Sequence, residues 1–305
     1  MTAAPAPAPD TTAAAATGPL SGAATAVAAQ RWSRRAGRAR RATVAVLIWV
    51  ASLTAAGAAC EAAARLAPSG FVPPPSMVAA WIRATWLTGP PHHLYLNEDL
   101  LHHLGASVGR MLTGWTAAVI LGISLGILLG RSPVARDFVN PLVQFGRSVP
   151  PVVLIPVYYL LFPDATIRHV VLIVTGAIWP VLLNTITGVR GIDPALLDTV
   201  RVLKVGPVRR LGGVLLPAAA PTILTGLRIS LAIALLLTVV SEMFGATEGL
   251  GYALLDAQQH FDTTAMWAWI VPIAVLGNLG HAALNGLSRA GLARHGHPDP
   301  HQLER

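Results

Sequence analysis

Charge is what this sequence has least of. Only 12% of its 305 residues are Asp, Glu, Lys or Arg, against about a quarter in soluble domains. A soluble chain of this length could bury a large core, but its surface would need the missing charges, so the composition points into a membrane. Cysteine is nearly absent. Cys60 stands alone, which excludes disulfides within the chain and cysteine metal cages, and its apolar surroundings read as a small inert hydrophobe. Lysine is just as scarce. Lys204 is the sole one, preceded by "DTVRVL" rather than by the glycines of a phosphate-binding loop. ATP binding by that route is excluded, and so is a Schiff base at any other residue.

What is present fits a polytopic membrane protein. Hydrophobic residues make up 53% of the chain, mean hydropathy is +0.58, and net charge is +8 with a pI near 10.9. Such basicity raises nucleic acid as a partner, but no stacking-plus-basic module accompanies it. The arginines lie instead in short segments between apolar runs, as cytoplasmic loops do.

Residues 1–29 are mostly Ala, Pro, Thr and Gly, too poor in large side chains to offset ordering entropy, and are expected to be disordered. The basic block Arg31–Arg41 closes a tail of residues 1–41. The following run reads as an uncleaved first span rather than a signal peptide, since no Ala-x-Ala-like exit follows it. Spans of about 20 apolar residues are expected at 42–62, 105–129, 139–162, 167–188, 222–244 and 265–288. Arg31–Arg41, Arg131, Arg136, Arg190 to Arg210, Arg289 and Arg294 then fall on one side; Arg65, Arg83 and Arg168 fall on the other. The positive-inside rule puts both termini in the cytoplasm, with a tail at 291–305. The outer segment 67–104 is too polar to span, and its "PSMVAAWIRATW" is expected to lie along the outer surface. His92, His93, His102 and His103 suggest a metal, but paired neighbours point to different helix faces and no carboxylate completes a set, so no metal site is assigned.

Three stretches stand out from the apolar background. "RSVPPVVLIPVYYLLFP", Arg147–Pro163, carries Pro150, Pro151, Pro156 and Pro163. Prolines free backbone carbonyls, tolerated at membrane depth where protein or a cavity satisfies them; the alternative is an ordinary kinked helix. Glu242, beside Met243 at the far end of the fifth span, is an ionisable group in an apolar helix, a mark of function by default, and is read as belonging to the outer half of a pathway. Leu197–Pro221, "LDTVRVLKVGPVRRLGGVLLPAAAP", is an island with four basic residues and one acid, far longer than a connection between two spans requires. Pro207 is expected to start a second short helix there, where its missing N–H matters little, and Pro217 to end it before the fifth span.

The island resembles the cytoplasmic signature of the permease subunits of bacterial ATP-binding-cassette (ABC) importers, in the branch serving nitrate, sulfonates and taurine. That signature runs Glu-Ala-Ala, three residues, Gly, and a closing Leu-Pro. Asp198, Thr199 and Val200 stand at the first three positions and Leu216-Pro217 at the close; Lys204 stands where the family has Gly, with Gly206 two residues later. "HLGASVGRMLTGWTAAVILGISLGILLG" is similar to the family's Ser-Leu-x-Arg-x-x-x-Gly entry to the core, and the proline-rich stretch resembles its third-span signature. "SEMFGATEGLGYALLDAQQHFDTTAMWAWI" is similar to the segment after the fifth span, with Gly249 and Gly251 in the family's Gly-(Ile/Leu)-Gly. The likeness covers about residues 71–294, four segments in the right order.

The resemblance implies an all-α fold of six transmembrane helices around a type I importer core at 105–290, with coupling helices at 194–217. It implies a permease without catalysis or cofactor, fed by an extracytoplasmic binding protein, paired with a second permease copy and driven by two ATPase subunits in a bacterial inner membrane. Asp198, Thr199, Val200, Arg201, Lys204, Gly206, Leu216 and Pro217 would form the ATPase-coupling loop. Pro150, Pro151, Pro156, Glu242, Met243, Gly249 and Gly251 would belong to the translocation pathway. The alternative is an ion-coupled secondary transporter, a class that tends to show inverted repeats; none is clear here and the island would go unexplained. A membrane enzyme would need partners for His281 and Asn285, which share a face of the last span and read more simply as interhelical hydrogen-bonding groups.

Overall fold

Short polar side chains and prolines, placed along an apolar chain, set where its helices begin. The computed structural model describes residues 44, 48, 51–52, 54–66, 70–90 and 95–294. The expected tail 1–41, much of the first span, His92 and His93, and everything beyond Arg294 lie outside the described residues. Two units divide the chain, Met1–Ala67 and Pro68–Arg305. In the first, residues 54–66 are helical, with Arg65 Nε donating to Glu61 Oε1 at 2.7 Å.

The second unit is built of helices α1 (Pro75–Thr85), α2 (Glu98–Arg131), α3 (Pro133–Ser148), α4 (Ile155–Leu161), α5 (Ala165–Arg190), α6 (Pro194–Val202), α7 (Pro207–Met243), α8 (Leu250–Gln259) and α9 (Thr263–Arg294). Asn97 caps α2 by accepting from the Asp99 N–H at 3.1 Å, and Glu98 and Asp99 place negative charge at the helix start, as the helix dipole favours. Ser132, Asp164 and Asp193 cap α3, α5 and α6 in the same way. Pro133 and Pro194 sit in first turns, where a missing N–H is harmless.

Four of the described helices are long and apolar enough to cross a membrane: Glu98–Arg131, Ala165–Arg190, Pro207–Met243 and Thr263–Ser288. The expected third span, 139–162, is not one helix. α3 is amphipathic and ends at Ser148; Val149 and Pro150 are extended, a 3-10 turn runs over Pro151–Leu154, and α4 follows with only seven residues. Each proline pushes the residue before it out of helical geometry, so the Pro150-Pro151 pair divides the segment instead of kinking it. Of its prolines, Pro150 and Pro156 are exposed and Pro151 is half-buried.

A second correction concerns α7. Pro207 does start a helix, with Gly206 as its cap, but Pro217 does not end it. The helix continues through a π turn at Leu211–Leu215, where the Leu216 N–H reaches back five residues to the Leu211 carbonyl. A wider turn leaves room for a proline ring that would clash with the carbonyl four residues earlier in a regular helix. The island therefore consists of α6 and the first turns of α7, which run on into the fifth expected span.

α5 lies between α2 and α7 and packs along both. The contact with α2 is close because Gly114, Gly122, Gly126 and Gly130 face Ile173, Val181, Thr185 and Val189, leaving no room for a Cβ. Small residues four apart allow such approach between membrane helices. Toward the other end of the unit, α1 folds against α8 and α9. Trp86, just beyond α1, is 3% exposed, its ring 4.8 Å from that of Trp269, in a core shared with Leu100, Leu250 and Ala268. Thr263 and Trp267 bind the carbonyls of Gly70 and Phe71. The expected surface helix is thus one wall of a small core.

Candidate functional site

Two polar constructions interrupt the apolar body, one buried and one exposed. The buried one is centred on Glu242, in the last turn of α7. Its carboxylate accepts from Ser107 Oγ at 2.9 and 2.8 Å, from Arg110 Nη1 at 3.1 Å and from the Gly251 N–H at 3.0 Å. Ser107 and Arg110 lie one turn apart on α2. Arg110 also donates to the Glu248 carbonyl and to Glu248 Oε1, both at 2.8 Å. The loop is completed by two more bonds: the Leu250 N–H donates to Ser107 Oγ at 2.8 Å, and the Gly249 N–H to His103 Nδ1 at 3.0 Å. His102 Nε2 lies 3.1 Å from Glu248. Of the histidines considered as metal ligands, His102 and His103 thus hold the loop after α7.

This knot explains two glycines. Gly249 has φ +117, and a Cβ there would run into the Glu242 carboxylate; a Cβ on Gly251 would meet the Val239 carbonyl. Glu242 is 1% exposed, with both oxygens bonded inside the chain. A buried carboxylate is tolerable only with such compensation. Met243 is half-buried and contributes no hydrogen bond to the knot. Pro150, Pro151 and Pro156 are not part of it, although the Pro151–Leu154 turn packs on α5 and α7. Glu248 had not been singled out; His103 had been considered only as a metal ligand, and Ser107 and Arg110 only as the Ser and Arg of the entry motif. The available signal was a serine and an arginine three apart in an otherwise apolar helix.

The exposed construction is the island. Arg201 Nη1 meets Asp198 Oδ1 at 2.7 Å, with side chains 65% and 66% exposed. Thr199 Oγ1 bonds the Ala195 carbonyl, and Val200, buried, anchors α6. Leu196, Val202, Leu203 and Val208 are exposed beside the charges. After α6, the Val205 N–H reaches the Val200 carbonyl and the Lys204 N–H the Arg201 carbonyl. That is the paired bonding of a Schellman cap, and Lys204 sits at its left-handed position with φ 50. Glycine suits that position because it has no Cβ. Gly206, by contrast, has φ −59 and makes no such demand.

On α9, His281 and Asn285 are both exposed. His281 and Asn278 border a groove of about 380 Å³ between α2, α7 and α9, lined mainly by Met111, Leu231, Leu235, Ile273 and Leu276.

Residues 118–290 match the family described as "Binding-protein-dependent transport system inner membrane component". The chain is 35% identical, over 72% of its own length and 85% of the relative's, to the "Putative aliphatic sulfonates transport permease protein" of Bacillus subtilis (strain 168). It is 31% identical, over 74% and 81%, to the taurine transport system permease protein of Escherichia coli (strain K12). Its fold is similar to that of a chain of the inward-facing MetNI methionine ABC transporter, with TM-score 0.54, 20% identity, and coverage of 67% of this chain and 99% of that one. A family match over more than half of the chain, joined to these identities, places it: the chain belongs to the binding-protein-dependent transport system inner membrane components, multi-pass permease subunits of ABC importers in which a separate subunit hydrolyses ATP.

Proposed function

We propose that this permease imports a small solute bearing an oxyanion group, such as nitrate, an alkanesulfonate or the zwitterion taurine, delivered by an extracytoplasmic binding protein. Two copies form the pathway, two ATPase subunits dock on α6 and the first turns of α7, and both termini are cytoplasmic. The exposed island carries this reading. Asp198 and Arg201 stand beside Val202, Leu203 and Val208, all exposed, so charge and apolar surface are offered together, as at the core and rim of a protein interface. Asp198, Thr199, Val200, Arg201 and Lys204 supply the docking helix and its cap. Gly206, Leu216 and Pro217 carry the chain into the span that must move. The break at Pro150, Pro151 and Pro156, together with Glu242, Met243, Gly249 and Gly251, is assigned to the pathway walls. The solute class rests on the likeness to permeases whose names specify aliphatic sulfonates and taurine.

The test is uptake into proteoliposomes holding the permease, its ATPase and its binding protein, with labelled taurine, ethanesulfonate and nitrate offered singly. ATP-dependent uptake of at least one of them is expected, with transport lost on replacing Asp198 and Arg201 together by Ala. Uptake driven by a proton or sodium gradient without the ATPase would overturn the mechanism; a binding protein that takes only solutes lacking a sulfonate, nitrate or similar oxyanion group would overturn the solute class.

A further inference from the structure

Beside the buried knot, where α4 meets the start of α5 and the end of α7, lies a small pocket that the knot does not use. It is lined by Ile155, Tyr158, Tyr159, Arg168, His169, Leu172 and Ser241. His169 is 3% exposed, and its Nε2 has no hydrogen-bond partner among the described residues; neither has the buried Nε of Arg168. Buried polar groups are nearly always paired, so two orphans lining one pocket need an explanation. The rest of the pocket is well tied. Tyr158 Oη bonds Thr175 Oγ1 at 2.8 Å, Tyr159 Oη donates to the Phe244 carbonyl, and Ser241 Oγ donates to the Thr238 carbonyl at 2.8 Å. The Arg168 guanidinium lies 4.2 Å from the centre of the Tyr159 ring, and its Nη1 reaches the carbonyls of Phe162 and Pro163 at 3.4 and 3.3 Å.

The chemistry left over is that of an oxyanion receptor. Arg168 offers a permanent cation and a free N–H. The His169 imidazole offers a second donor when Nε2 carries the proton, and no carboxylate lines the pocket. We infer that Arg168 and His169 form an oxyanion subsite of the permease itself, one that takes the nitrate-like or sulfonate head of the solute between α4, α5 and α7. The volume now enclosed, about 10 Å³, suits a single water. An anion therefore fits only after α4 moves outward, and the subsite belongs to one of two conformations of the transporter. α4 is suited to that motion, because it is seven residues long and separated from α3 by the Pro150-Pro151 break. The apolar Ile155 and Leu172 and the tyrosine rings would pack on an alkyl chain behind a sulfonate.

This inference rests on the proposal that the solute bears an oxyanion group, and the two fail differently. In the assembled transporter, Arg168→Gln and His169→Ala should each lower uptake of taurine or nitrate, whichever the wild type carries, about tenfold, the usual effect of losing one charge-assisted or donor contact. His169→Gln, which keeps an N–H in the side chain, should recover part of the uptake. Independently of turnover, millimolar sodium ethanesulfonate should raise the melting temperature of the wild-type complex above that in equimolar sodium chloride, and should not do so in either variant. Wild-type uptake and KM in both variants, or an equal ethanesulfonate shift in all three proteins, would overturn the subsite and leave a pocket that holds water only. If the wild type carries no solute with an oxyanion group, the solute proposal fails first and the subsite fails with it.

Discussion

Two ion pairs of this molecule invite comparison. Arg110–Glu242 joins α2 to the end of α7, separated by 132 residues in sequence, with the arginine 11% exposed and the glutamate side chain fully buried. Arg201–Asp198 spans one turn of one helix in the open. The first has given up its hydration and recovers it from Ser107, Gly251 and Glu248, so it fixes tertiary structure. The second keeps its water and contributes almost nothing to the fold. An exposed pair that stability does not require is free to be used by something else, and that is why the docking proposal rests on the weaker of the two.

The comparison breaks most readily at its buried side. Arg110→Ala leaves Glu242 in the protein interior without its cation, and loss of one partner of such a pair costs about 3–5 kcal/mol. Thermal unfolding of the purified permease should show a large drop, whereas Arg201→Ala should change stability by at most ~1 kcal/mol. Equal effects would mean that burial does not separate the two pairs. Gly249→Ala comes next. Its positive φ and its approach to the Glu242 carboxylate predict a loss of about 1–3 kcal/mol, while Gly206→Ala, with open space around it, should be near neutral in the same assay. A neutral Gly249→Ala would show that the loop can leave the carboxylate at little cost.

At the exposed side the sign of the contrast reverses. Replacing Asp198 and Arg201 together by Ala should spare stability yet weaken ATPase binding at least about tenfold in a titration of permease vesicles, because a partly desolvated interface contact is worth more than a solvated pair. Arg190→Ala, in the last turn of α5, is the milder control, and a double variant with full affinity would move the docking surface elsewhere. The smallest effect concerns Lys204. Releasing a left-handed lysine should leave Lys204→Gly neutral or up to ~1 kcal/mol more stable. A coupling defect without loss of stability would instead make the lysine a contact of the ATPase.

Periodicity and hydropathy were enough to find the long helices. The expected spans 105–129, 167–188 and 265–288 fall within α2, α5 and α9, and 222–244 falls within α7 but for its last residue. What composition could not supply was the continuity of each helix. Four prolines between Arg147 and Pro163 were visible, but whether a proline bends a helix or ends it depends on its neighbours, and here two adjacent prolines ended it. At Pro217 the π turn had the opposite outcome. That Lys204 replaces the family's glycine was visible in the resemblance, and the backbone there is left-handed. That Ser107 and Arg110 pair with Glu242 was out of reach because they lie more than 130 residues away, and no local pattern pairs an acid with a distant Ser-x-x-Arg. The orphaned Nε2 of His169 is likewise a property of packing, not of sequence.

The glycine face of α2 has a mechanical consequence. Ile173, Val181, Thr185 and Val189 are β-branched, and such side chains are stiff in a helix. Each occupies a notch left by one of the glycines. The two helices therefore mesh like a toothed rack, and small sliding is blocked because every tooth would have to climb out of its notch at once. Displacement along this seam comes only in steps of a helical turn, about 5.4 Å. If the ATPase docks on α6 as proposed, a push arriving there would be transmitted through α2 and α5 as a single strut, and the compliance needed to change access would fall on the segments outside the rack, α4 and the π turn of α7.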